Sequence, residues 1–518
     1  METLETYKVF KFVFIFLPVI LFIHWLWTRR NLYKSILNIP VLVGFPIIGS
    51  LHKMRHLNYM LRGFGNIFKD CKQYTVLLWM GFYPIILTAD PDIISNVLRS
   101  QDLINKAEVF YYSMRNAFKG GLISSKATEW VHNRKMINPS FSNKVLVSLF
   151  PIFNKSKNNL IGKFSALVDN KNHKILNMLQ TLTLEIAIET TMGKVMHKGD
   201  GMSNNWAVKV SFVMKLTMIQ TLLSFVKLDS IINYYIKFRR TKEELYQFVY
   251  ELIRNKISTN TNNNSNNNNI NTEEINPNNM DILKYPIPSI RKEPKIFIDQ
   301  AIKLYENEQF TWNDIISESN NIVAAAFETT ANAIFSTLVM LAMHPDVQQR
   351  LFEEILDVFP EKDFYVDCHQ LTQLPYLNRV INETLRIAPS VPIIGRQVVE
   401  DTQIGEHVFP KDVQILISIY HLHRRTDIWG PNADKFDPEH FSVEHFGEMQ
   451  RNAYIPFSKG VRGCIGSRYA IFSMKILLCG LVRNYEFETD FKFEDIRYTS
   501  NIALKYIVEP ELKMYRRA

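Results

Sequence analysis

The stretch FSKGVRGCIG at residues 457–466 places one cysteine among closely spaced glycines, and an apolar run over residues 469–481 follows it. This pattern predicts a tight loop that enters a helix. Gly463 and Gly466 allow backbone conformations and close approaches that a Cβ atom would obstruct. The free N–H groups and positive dipole at the start of the helix favour a charged sulfur. We therefore expect Cys464 to be a thiolate ligand for a metal, although a lone cysteine is more often a small buried apolar residue.

The composition limits the class of protein. With 518 residues and 47% hydrophobic content, the chain has room for one large domain or several smaller ones. Its net charge of +9 is spread along the chain, and no zinc or helix-turn-helix pattern accompanies it, so no nucleic-acid partner is predicted. The basic surface fits an acidic protein, a membrane surface or simple solvation. The four cysteines form no closely spaced framework, which indicates reduced thiols facing the cytosol.

The N-terminal segment reads as a membrane anchor. Residues 9–27 are almost wholly apolar, and Arg29 and Arg30 follow. At about 1.5 Å per residue this length nearly crosses a bilayer core, and the basic C-terminal flank leaves the body of the protein in the cytosol. We expect residues 1–34 to be a single-pass anchor with its basic flank, a buried helix being the alternative. Residues 35–50 contain Pro40 and Pro46 and predict a semi-rigid hinge.

Length alone does not decide whether the rest of the chain, residues 51–518, forms one domain or several. The segment from about 258 to 280 is rich in asparagine. Because such a tract cannot bury enough apolar surface to offset its ordering entropy, we predict a disordered insert there, without a domain boundary.

Two further patterns in the N-terminal half have local structural meaning. Residues 76–87 are β-type residues around Gly81 and Pro84, which predicts a hairpin. Trp130 and Arg134 are four residues apart and share one face of a helix. An indole N–H and a guanidinium in this arrangement can clamp a carboxylate, although an exposed arginine beside a half-buried tryptophan is the commoner reading.

A long helix is predicted from the Thr311 cap to Met343, because His344-Pro345 ends it. Within it, Glu328 and Thr329 interrupt an apolar run. An acid beside a hydroxyl is out of place in a core helix, unless the hydroxyl donates to a preceding carbonyl.

The C-terminal third adds a second pair of charged residues. Glu383 and Arg386 lie three residues apart, and hence on one face of a helix that begins near Pro375. Short strands are predicted from Arg396 to Ile419, and a terminal hairpin is predicted over residues 498–512, with a turn near residues 500–501.

Taken in order, these motifs resemble the cytochrome P450 family. Phe-x-x-Gly-x-Arg-x-Cys-x-Gly at residues 457–466 matches its haem-binding signature, and the helix and Glu-x-x-Arg motifs follow the family's order. The resemblance implies a mainly α fold with a small β region, preceded by one transmembrane helix. It also implies that residues 51–518 form a single catalytic domain, with haem b bound between the long helix and the cysteine loop. It implies that Cys464 ligates the iron, that Phe457 shields the sulfur, and that Glu328 and Thr329 deliver protons. The remaining residues it implies are Trp130, Arg134, Arg396, Arg462 and Gly466 at the haem, and Glu383, Arg386 and His440 in a structural network.

The activity implied by the resemblance is a monooxygenation. One oxygen atom of O₂ enters a lipophilic substrate, with electrons from NADPH delivered by a flavoprotein reductase, and with cytochrome b5 as an optional second donor. The overall pattern looks closest to the insect microsomal group similar to fatty-acid hydroxylases, which implies the endoplasmic reticulum membrane. The substrate classes left open are fatty acids, terpenoid or steroid hormones and xenobiotics. Lys459, Arg468 and Lys475 flank the cysteine and are expected either to meet an acidic reductase surface or to be merely solvated.

Three positions depart from the family pattern. Ala326 replaces the usual glycine of the long helix, and its methyl is expected to crowd the groove for oxygen and water. Ala325 stands where many ω-hydroxylases carry a glutamate, so no covalent haem attachment is expected. His440 replaces a common arginine and is expected to be a weaker or pH-sensitive partner. Two rival functions remain open: a reductase-independent lipid hydroperoxide isomerase or dehydratase, and a non-catalytic haem or lipid-binding protein.

Overall fold

The computed structural model describes residues 39–54 apart from 43 and 46, then 59–196, 202–267 and 295–517, together with a few positions between 16 and 32. Most of the predicted membrane anchor therefore lies outside the described residues. So do residues 268–280 of the asparagine-rich segment.

The described chain is mainly helical. The α-helices, in chain order, are α1 (Met60–Cys71), α2 (Pro91–Arg99), α3 (Glu108–Phe118), α4 (Ala127–Ile137), α5 (Asn143–Ser148), α6 (Phe150–Ser165), α7 (Leu176–Met192), α8 (Met202–Ser224), α9 (Ser230–Asn233), α10 (Ile236–Asn267), α11 (Phe297–Glu306), α12 (Trp312–Met343), α13 (Pro345–Val358), α14 (Pro375–Ile387), α15 (Ile419–Leu422), α16 (Thr426–Trp429), α17 (Glu448–Ala453) and α18 (Ser467–Asn484).

The strands form a small β region. They are β1 (Val41–Leu42), β2 (Thr75–Met80), β3 (Tyr83–Thr88), β4 (Ile393–Gln397), β5 (Thr402–Ile404), β6 (His407–Phe409), β7 (Gln414–Ser418), β8 (Tyr485–Glu488), β9 (Tyr498–Asn501), β10 (Ala503–Tyr506) and β11 (Lys513–Arg516). One sheet has the order β1-β2-β3-β7-β4, and three two-stranded sheets pair β9 with β10, β8 with β11 and β5 with β6.

Helix α12 connects two of the three apolar cores. Its first half, including Ile315 and Phe327, packs with α7, α8, α10 and α11. Its second half, including Ile334 and Leu338, packs with α13, α14 and α18. The third core lies around the five-stranded sheet. The middle of α12 is thereby held in place by packing on either side of it.

Several local predictions are confirmed. Helix α12 begins after Thr311, whose side chain forms a reciprocal capping box with Asp314, and the helix ends at Met343. Strands β2 and β3 pair in antiparallel register from Thr75 opposite Thr88. The terminal hairpin is shorter than predicted, because β9 and β10 end at Tyr506.

Two segments differ from expectation. Helix α10 continues to Asn267, so residues 258–267, predicted to be disordered, are helical. Asparagine is only a moderate helix breaker, and the packed first half of α10 supplies a nucleus that its polar end can extend. Within the predicted hinge, Val41 and Leu42 pair in parallel with Leu77 and Leu78 of β2, so these residues belong to the sheet.

Candidate functional site

The cysteine loop is closed by its own backbone. The amide of Cys464 donates to the carbonyl of Phe457 at 2.9 Å, and that of Gly463 to Gly460 at 3.0 Å. A close backbone approach was expected at Gly463 and Gly466, but the closest one is at Gly460. This residue has a φ of +70°, and a Cβ atom added to it would lie 1.8 Å from the carbonyl oxygen of Leu98. A Cβ at Gly466 would meet open space. The reason is that Gly460 is where the loop crosses the end of α2.

The thiol of Cys464 faces a large internal cavity. Burial raises the pKa of this thiol, while the Gly466 amide and the charges of Arg134 and Lys106 act to lower it. A coordinated metal would deprotonate the thiol outright. Phe457 and Gly466 also border the cavity.

Positively charged side chains surround the same side of the cavity. Arg134 Nη1 donates to the carbonyl of Gly463 at 3.0 Å, and the Arg462 guanidinium lies 4.4 Å from the centre of the Trp130 ring. Arg396 is buried behind them and donates to the Gly395 carbonyl. The sequence prediction missed Lys106, which lies on the cavity wall.

Within the described part of the chain, no acid forms a salt bridge with the four cations Lys106, Arg134, Arg396 and Arg462. Arg462 donates to the backbone carbonyls of Ile104 and Ser125. Burial and the neighbouring charge of Arg396 lower the pKa of Arg462 to about 9. Burial and the charges of Arg396 and Arg462 also lower the pKa of Lys106. A cluster of buried positive charge is costly unless it meets negative charge. The cavity is therefore suited to a ligand that carries carboxylates at this edge.

Helix α12 forms the opposite wall. Ala324, Ala325 and Ala326 lie on the cavity surface with Glu328 and Thr329. The Thr329 hydroxyl donates to the Ala325 carbonyl at 2.7 Å, which is the back-bond that a core helix allows. Its oxygen keeps lone pairs that can accept a hydrogen bond from the cavity. Glu328 is 1% exposed, and its carboxylate lies 2.7 Å from Lys505 Nζ of β10. Sequence reasoning missed this lysine.

The remaining walls are mainly apolar and come from four regions of the chain. Helix α3 contributes Phe110, Tyr111 and Met114, and Leu122 follows it in the chain. The other lining residues in these regions are Met214 of α8, Val391, Ile393 and Ile394 near β4, and Ser500, Ile502 and Ala503 of the terminal hairpin.

Behind the cysteine loop, Glu383 and Arg386 form a fully buried, bidentate ion pair at 2.6 and 2.7 Å. Arg386 also donates to the carbonyls of His423 and Lys435, each at 2.8 Å, and to that of Ala433. Burial alone would raise the pKa of Glu383, but the hydrogen bonds and charge of Arg386 more than offset it and hold that pKa below its ordinary value.

Two histidines complete this network. His440 Nδ1 lies 3.0 Å from Glu383 Oε1, so the histidine reaches the acid despite replacing an arginine. His423, which sequence reasoning missed, accepts a hydrogen bond at Nε2 from the amide of Ile455 at 3.0 Å. Burial lowers the pKa of His423 to about 3, so it is neutral and can accept. The network thus connects α14 to the residues that lead into the cysteine loop.

A second acid of α12 was also missed. Glu318 is buried and accepts hydrogen bonds from Asn133 Nδ2 at 2.8 Å and from the amide of Leu122 at 2.9 Å. Burial raises the pKa of Glu318 to about 7. This side chain therefore connects α12 to α4 and to a loop that lines the cavity.

Of the three basic residues predicted to flank the cysteine, Lys475 is not available at the surface. It is half-buried and points to the carbonyl of Leu371, and burial lowers its pKa. Lys459 donates to the carbonyls of Arg451 and Asn452, while Arg468 donates to Asn143 at 2.6 Å.

Two helical segments of the described chain are long and apolar enough to cross a membrane, Asn205–Ser224 and Trp312–Met343. In the most apolar part of each segment, 50% and 83% of the residues, respectively, are buried inside the protein. Both helices therefore pack within the domain.

The family model of cytochrome P450 matches residues 39–513. The chain belongs to the cytochrome P450 family. It is 34% identical to probable cytochrome P450 313a4 of Drosophila melanogaster over 96% of this chain and 97% of that protein. It is 27% identical to cytochrome P450 4g1 of the same species, over 92% of this chain and 89% of the relative. With cytochrome P450 4c21 of Blattella germanica it shares 27% identity over 94% of each chain.

Cytochromes P450 are haem-thiolate monooxygenases whose haem iron is ligated by a cysteine. The residues of this cavity fit that cofactor. The Cys464 thiol faces the cavity, and cations without an acidic partner among the described residues border it. A Cβ at Gly466 would meet open space. The predicted fold class is confirmed for the mainly helical domain with its small β region.

Proposed function

We propose that this cytochrome P450 is a membrane-anchored monooxygenase that oxidises a lipophilic small molecule with electrons from NADPH, delivered by a flavoprotein reductase. The observation that carries the proposal is the placement of the Cys464 thiol on one side of an apolar cavity and of Glu328 and Thr329 on the other.

In this proposal Cys464 would ligate the haem iron. The carboxylates of the haem would be held by Trp130, Arg134, Arg396 and Arg462 together with Lys106. When haem is bound, its iron supplies activation of O₂, which a thiolate ligand promotes by donating electron density. Phe457 covers the sulfur side of the loop, and Gly466 donates its amide to the sulfur. Glu383, Arg386 and His440 position the loop and take no part in the chemistry.

In this proposal Thr329 and Glu328 transfer protons into the cavity. Because the hydrogen of the Thr329 hydroxyl is directed to the Ala325 carbonyl, its oxygen is oriented to accept a hydrogen bond from a water molecule in the cavity. Glu328 lies next to it in the chain and can take up and release a proton. Ala326 lies on the cavity surface between these residues and Ala325, where its methyl group narrows the space for water.

The substrate is proposed to be apolar because the walls distal to the cysteine carry few polar groups. Aromatic and aliphatic side chains from α3, α8, β4 and the terminal hairpin surround the space. Fatty acids, terpenoid or steroid hormones and xenobiotics all match this surface.

Attachment to the endoplasmic reticulum membrane is proposed from the apolar N-terminal segment and from an exposed apolar surface. The described positions between residues 16 and 32 are helical and expose apolar side chains. On the domain, Ile47 is 65% exposed, Tyr234 79% and Ile236 77%. Gly49 bridges to Met80, which joins the segment of Ile47 to the hairpin of β2 and β3. The Phe82 amide of that hairpin donates to the carbonyl of Phe225, the residue after α8, at 3.0 Å. Exposed apolar patches of this kind mark membrane or protein contacts.

The test begins with the full-length protein expressed in membranes. We expect the reduced protein to give a carbon monoxide difference spectrum typical of thiolate ligation, and Cys464→Ala to abolish it. Cys479→Ala, at the buried cysteine of α18, is the matched control and keeps the spectrum. A thiolate spectrum that survives in Cys464→Ala would show that the ligand is another residue.

Turnover separates the proposal from its alternatives. NADPH oxidation in the presence of reductase, stimulated by a member of a broad lipid panel and accompanied by an oxygenated product, supports the monooxygenase. Conversion of lipid hydroperoxides without reductase would favour an isomerase or dehydratase. A normal spectrum without turnover of any lipid would favour a binding protein.

A further inference from the structure

Asn321 of α12 is a polar side chain on the mainly apolar wall of the cavity. It borders the cavity and is 2% exposed. Its amide nitrogen donates to two backbone carbonyls, that of Gly120 at 2.7 Å and that of Ser317 at 2.8 Å. If the amide group were turned over, its oxygen would lie against both carbonyl oxygens, which is unfavourable. The neighbours of Asn321 therefore fix the orientation of its amide group.

The oxygen of this amide group has no matching donor. Within the described part of the chain, no hydrogen-bond donor reaches Asn321 Oδ1, and the atom is buried. A buried acceptor without a donor is costly, so most such groups in proteins have a partner. Because the side chain borders the cavity and its nitrogen is already occupied, Oδ1 is the atom that a molecule in the cavity can satisfy.

Two hydroxyl groups on the cavity wall differ from Asn321 in this respect. The side-chain oxygens of Thr330 and Ser458 are also buried without a partner among the described residues. A hydroxyl group can rotate and act either as a donor or as an acceptor, whereas an amide oxygen can only accept. Asn321 Oδ1 therefore specifies the chemistry of its partner, which must carry an O–H or N–H group.

The charges on the cavity wall disfavour an acidic substrate. Among the described lining residues the cations are Lys106, Arg134 and Arg462, and they lie on the cysteine side, where the carboxylates of the haem are proposed to bind. The acid of the opposite wall, Glu328, pairs with Lys505 at 2.7 Å. A carboxylate bound beside α12 would therefore be buried without a cation of its own, which is costly.

Asn321 is also distant from the residues proposed to take part in the chemistry. It lies 8 residues before Thr329 on the same helix. At about 1.5 Å per residue, this separation is about 12 Å along the helix axis. A group of the substrate that binds to Asn321 is therefore recognised at one end of the cavity and is not itself oxidised.

We propose that Asn321 Oδ1 accepts a hydrogen bond from a hydroxyl group of the substrate. The protein thereby selects neutral lipids that carry a hydroxyl group, such as sterol or terpenoid alcohols, over free fatty acids. Oxidation takes place at a carbon remote from this hydroxyl group. The inference rests on the proposed function, because it narrows the substrate class of the same cavity.

Equilibrium binding to the haem-loaded, full-length protein tests the inference without turnover. The dissociation constants of dodecan-1-ol and of its methyl ether are measured with wild type and with Asn321→Leu. The ratio of ether to alcohol is compared between the two proteins, because membrane partition and any shift of the Gly120 loop affect both ligands. We expect this ratio to be about three- to tenfold larger in wild type, the size of effect typical of one hydrogen bond. Equal ratios would overturn the inference.

Asn320→Leu is the matched control. Asn320 is the preceding residue of α12, is 3% exposed and donates to the Ile316 carbonyl at 2.9 Å, but it is not among the residues that border the cavity. The variant should keep the wild-type ratio. An equal change in Asn320→Leu and Asn321→Leu would assign the effect to repacking of α12 and reject the inference. If Asn321→Leu does not fold, Asn321→Ala takes its place under the same criterion.

Dodecanoic acid tests the selection against fatty acids. Near neutral pH its carboxylate is ionised and can only accept hydrogen bonds. We expect it to bind wild type more weakly than the alcohol does. Tighter binding of the acid would overturn the selection of neutral lipids.

Turnover separates this inference from the proposed function. If a lipid is oxygenated with NADPH and reductase but the binding ratio is the same in wild type and Asn321→Leu, only the role of Asn321 is rejected. If no lipid is oxygenated, the proposed function fails, and the binding ratio still decides whether Asn321 accepts the hydroxyl group.

Discussion

On the cysteine side of the cavity, Arg386 and Glu383 bond to backbone groups of His423, Lys435 and Asp437 through fully buried charges. On the opposite side, the polar groups of the α12 wall are few, and the acid among them pairs with a partly exposed lysine. On the first side, the charges of Arg386 and Glu383 form hydrogen bonds with several segments of the backbone. On the second side, the carboxylate of Glu328 is held by its ion pair with Lys505 at 2.7 Å.

This difference separates two requirements of the same cavity. The ligand cysteine must stay in place, and a buried, multiply bonded network opposes any movement of its loop. The α12 wall carries a buried acid, Glu328, whose ion-pair partner Lys505 is partly exposed. Substitutions in the buried network behind the cysteine should therefore lower stability, whereas substitutions at Thr329 on the cavity wall should alter chemistry and leave the fold intact.

The largest effect on stability is expected for Glu383→Gln. It leaves the Arg386 guanidinium buried without a countercharge, which should lower the free energy of unfolding by about 3 to 5 kcal/mol. Chemical denaturation measures the loss, and the thiolate spectrum should disappear with it. Glu439→Gln, which removes an exposed acid paired with Arg350 at 2.7 Å and Arg379 at 3.0 Å, is the control. It should cost about 1 kcal/mol or less. Equal losses in the two variants would contradict the contrast between the two sides.

The next effect depends on pH and concerns Glu318. Because its pKa of about 7 in the folded protein exceeds the ordinary value of 4.5, the folded state binds its proton more tightly than the unfolded chain. This contribution to stability is complete below the ordinary pKa and is lost as the pH rises through 7. Between about pH 5 and pH 8, the free energy of unfolding of wild type should therefore fall by about 2 to 3 kcal/mol more than that of Glu318→Gln. Denaturation curves of both proteins across this range measure it, and parallel curves would refute it.

A smaller loss is expected for His423→Phe. The phenyl ring fills the space but cannot accept the hydrogen bond of the Ile455 amide, and an orphaned buried donor costs about 1 to 3 kcal/mol. Because this amide lies next to the cysteine loop, the thiolate spectrum should weaken at lower temperature than in wild type. A thermal transition identical to wild type would mean that His423 does not hold the loop.

The smallest effect on stability is expected for Thr329→Val, at about 1 kcal/mol or less. In contrast, the peroxide released per NADPH oxidised should rise severalfold, because water in the cavity loses its acceptor. Thr337→Val is a close match, since Thr337 lies on the same helix, is buried, and donates to the Ala333 carbonyl at 2.8 Å. It should not change the peroxide yield. A rise in both variants would assign the effect to the helix and not to the hydroxyl.

Features of the site that depend on neighbours in the sequence were predictable. The Thr311–Asp314 capping box and the proline after His344 predicted both ends of α12, because caps and breakers act within a few residues. The Glu383–Arg386 pair was predictable for the same reason, being three residues apart on one helix.

Features that depend on distant segments were not predictable. Lys505 meets Glu328, and Glu318 meets Asn133 and Leu122, across separations that carry no periodic signal. Lys475 was expected on the surface, but the side of α18 on which it lies packs toward Leu371. The asparagine tract was assigned to a loop from its composition, which does not show how far a packed helix such as α10 can continue.

The contact between Gly460 and the carbonyl oxygen of Leu98 also bears on the order in which the molecule is assembled. It joins positions that lie at opposite ends of the domain sequence, and contacts of such separation form late because a long chain must first be closed. During synthesis the end of α2 emerges long before residue 460. The surface beside Leu98 therefore stays uncovered until the segment of Gly460 has been synthesised. The iron site is completed only when nearly the whole chain has been translated.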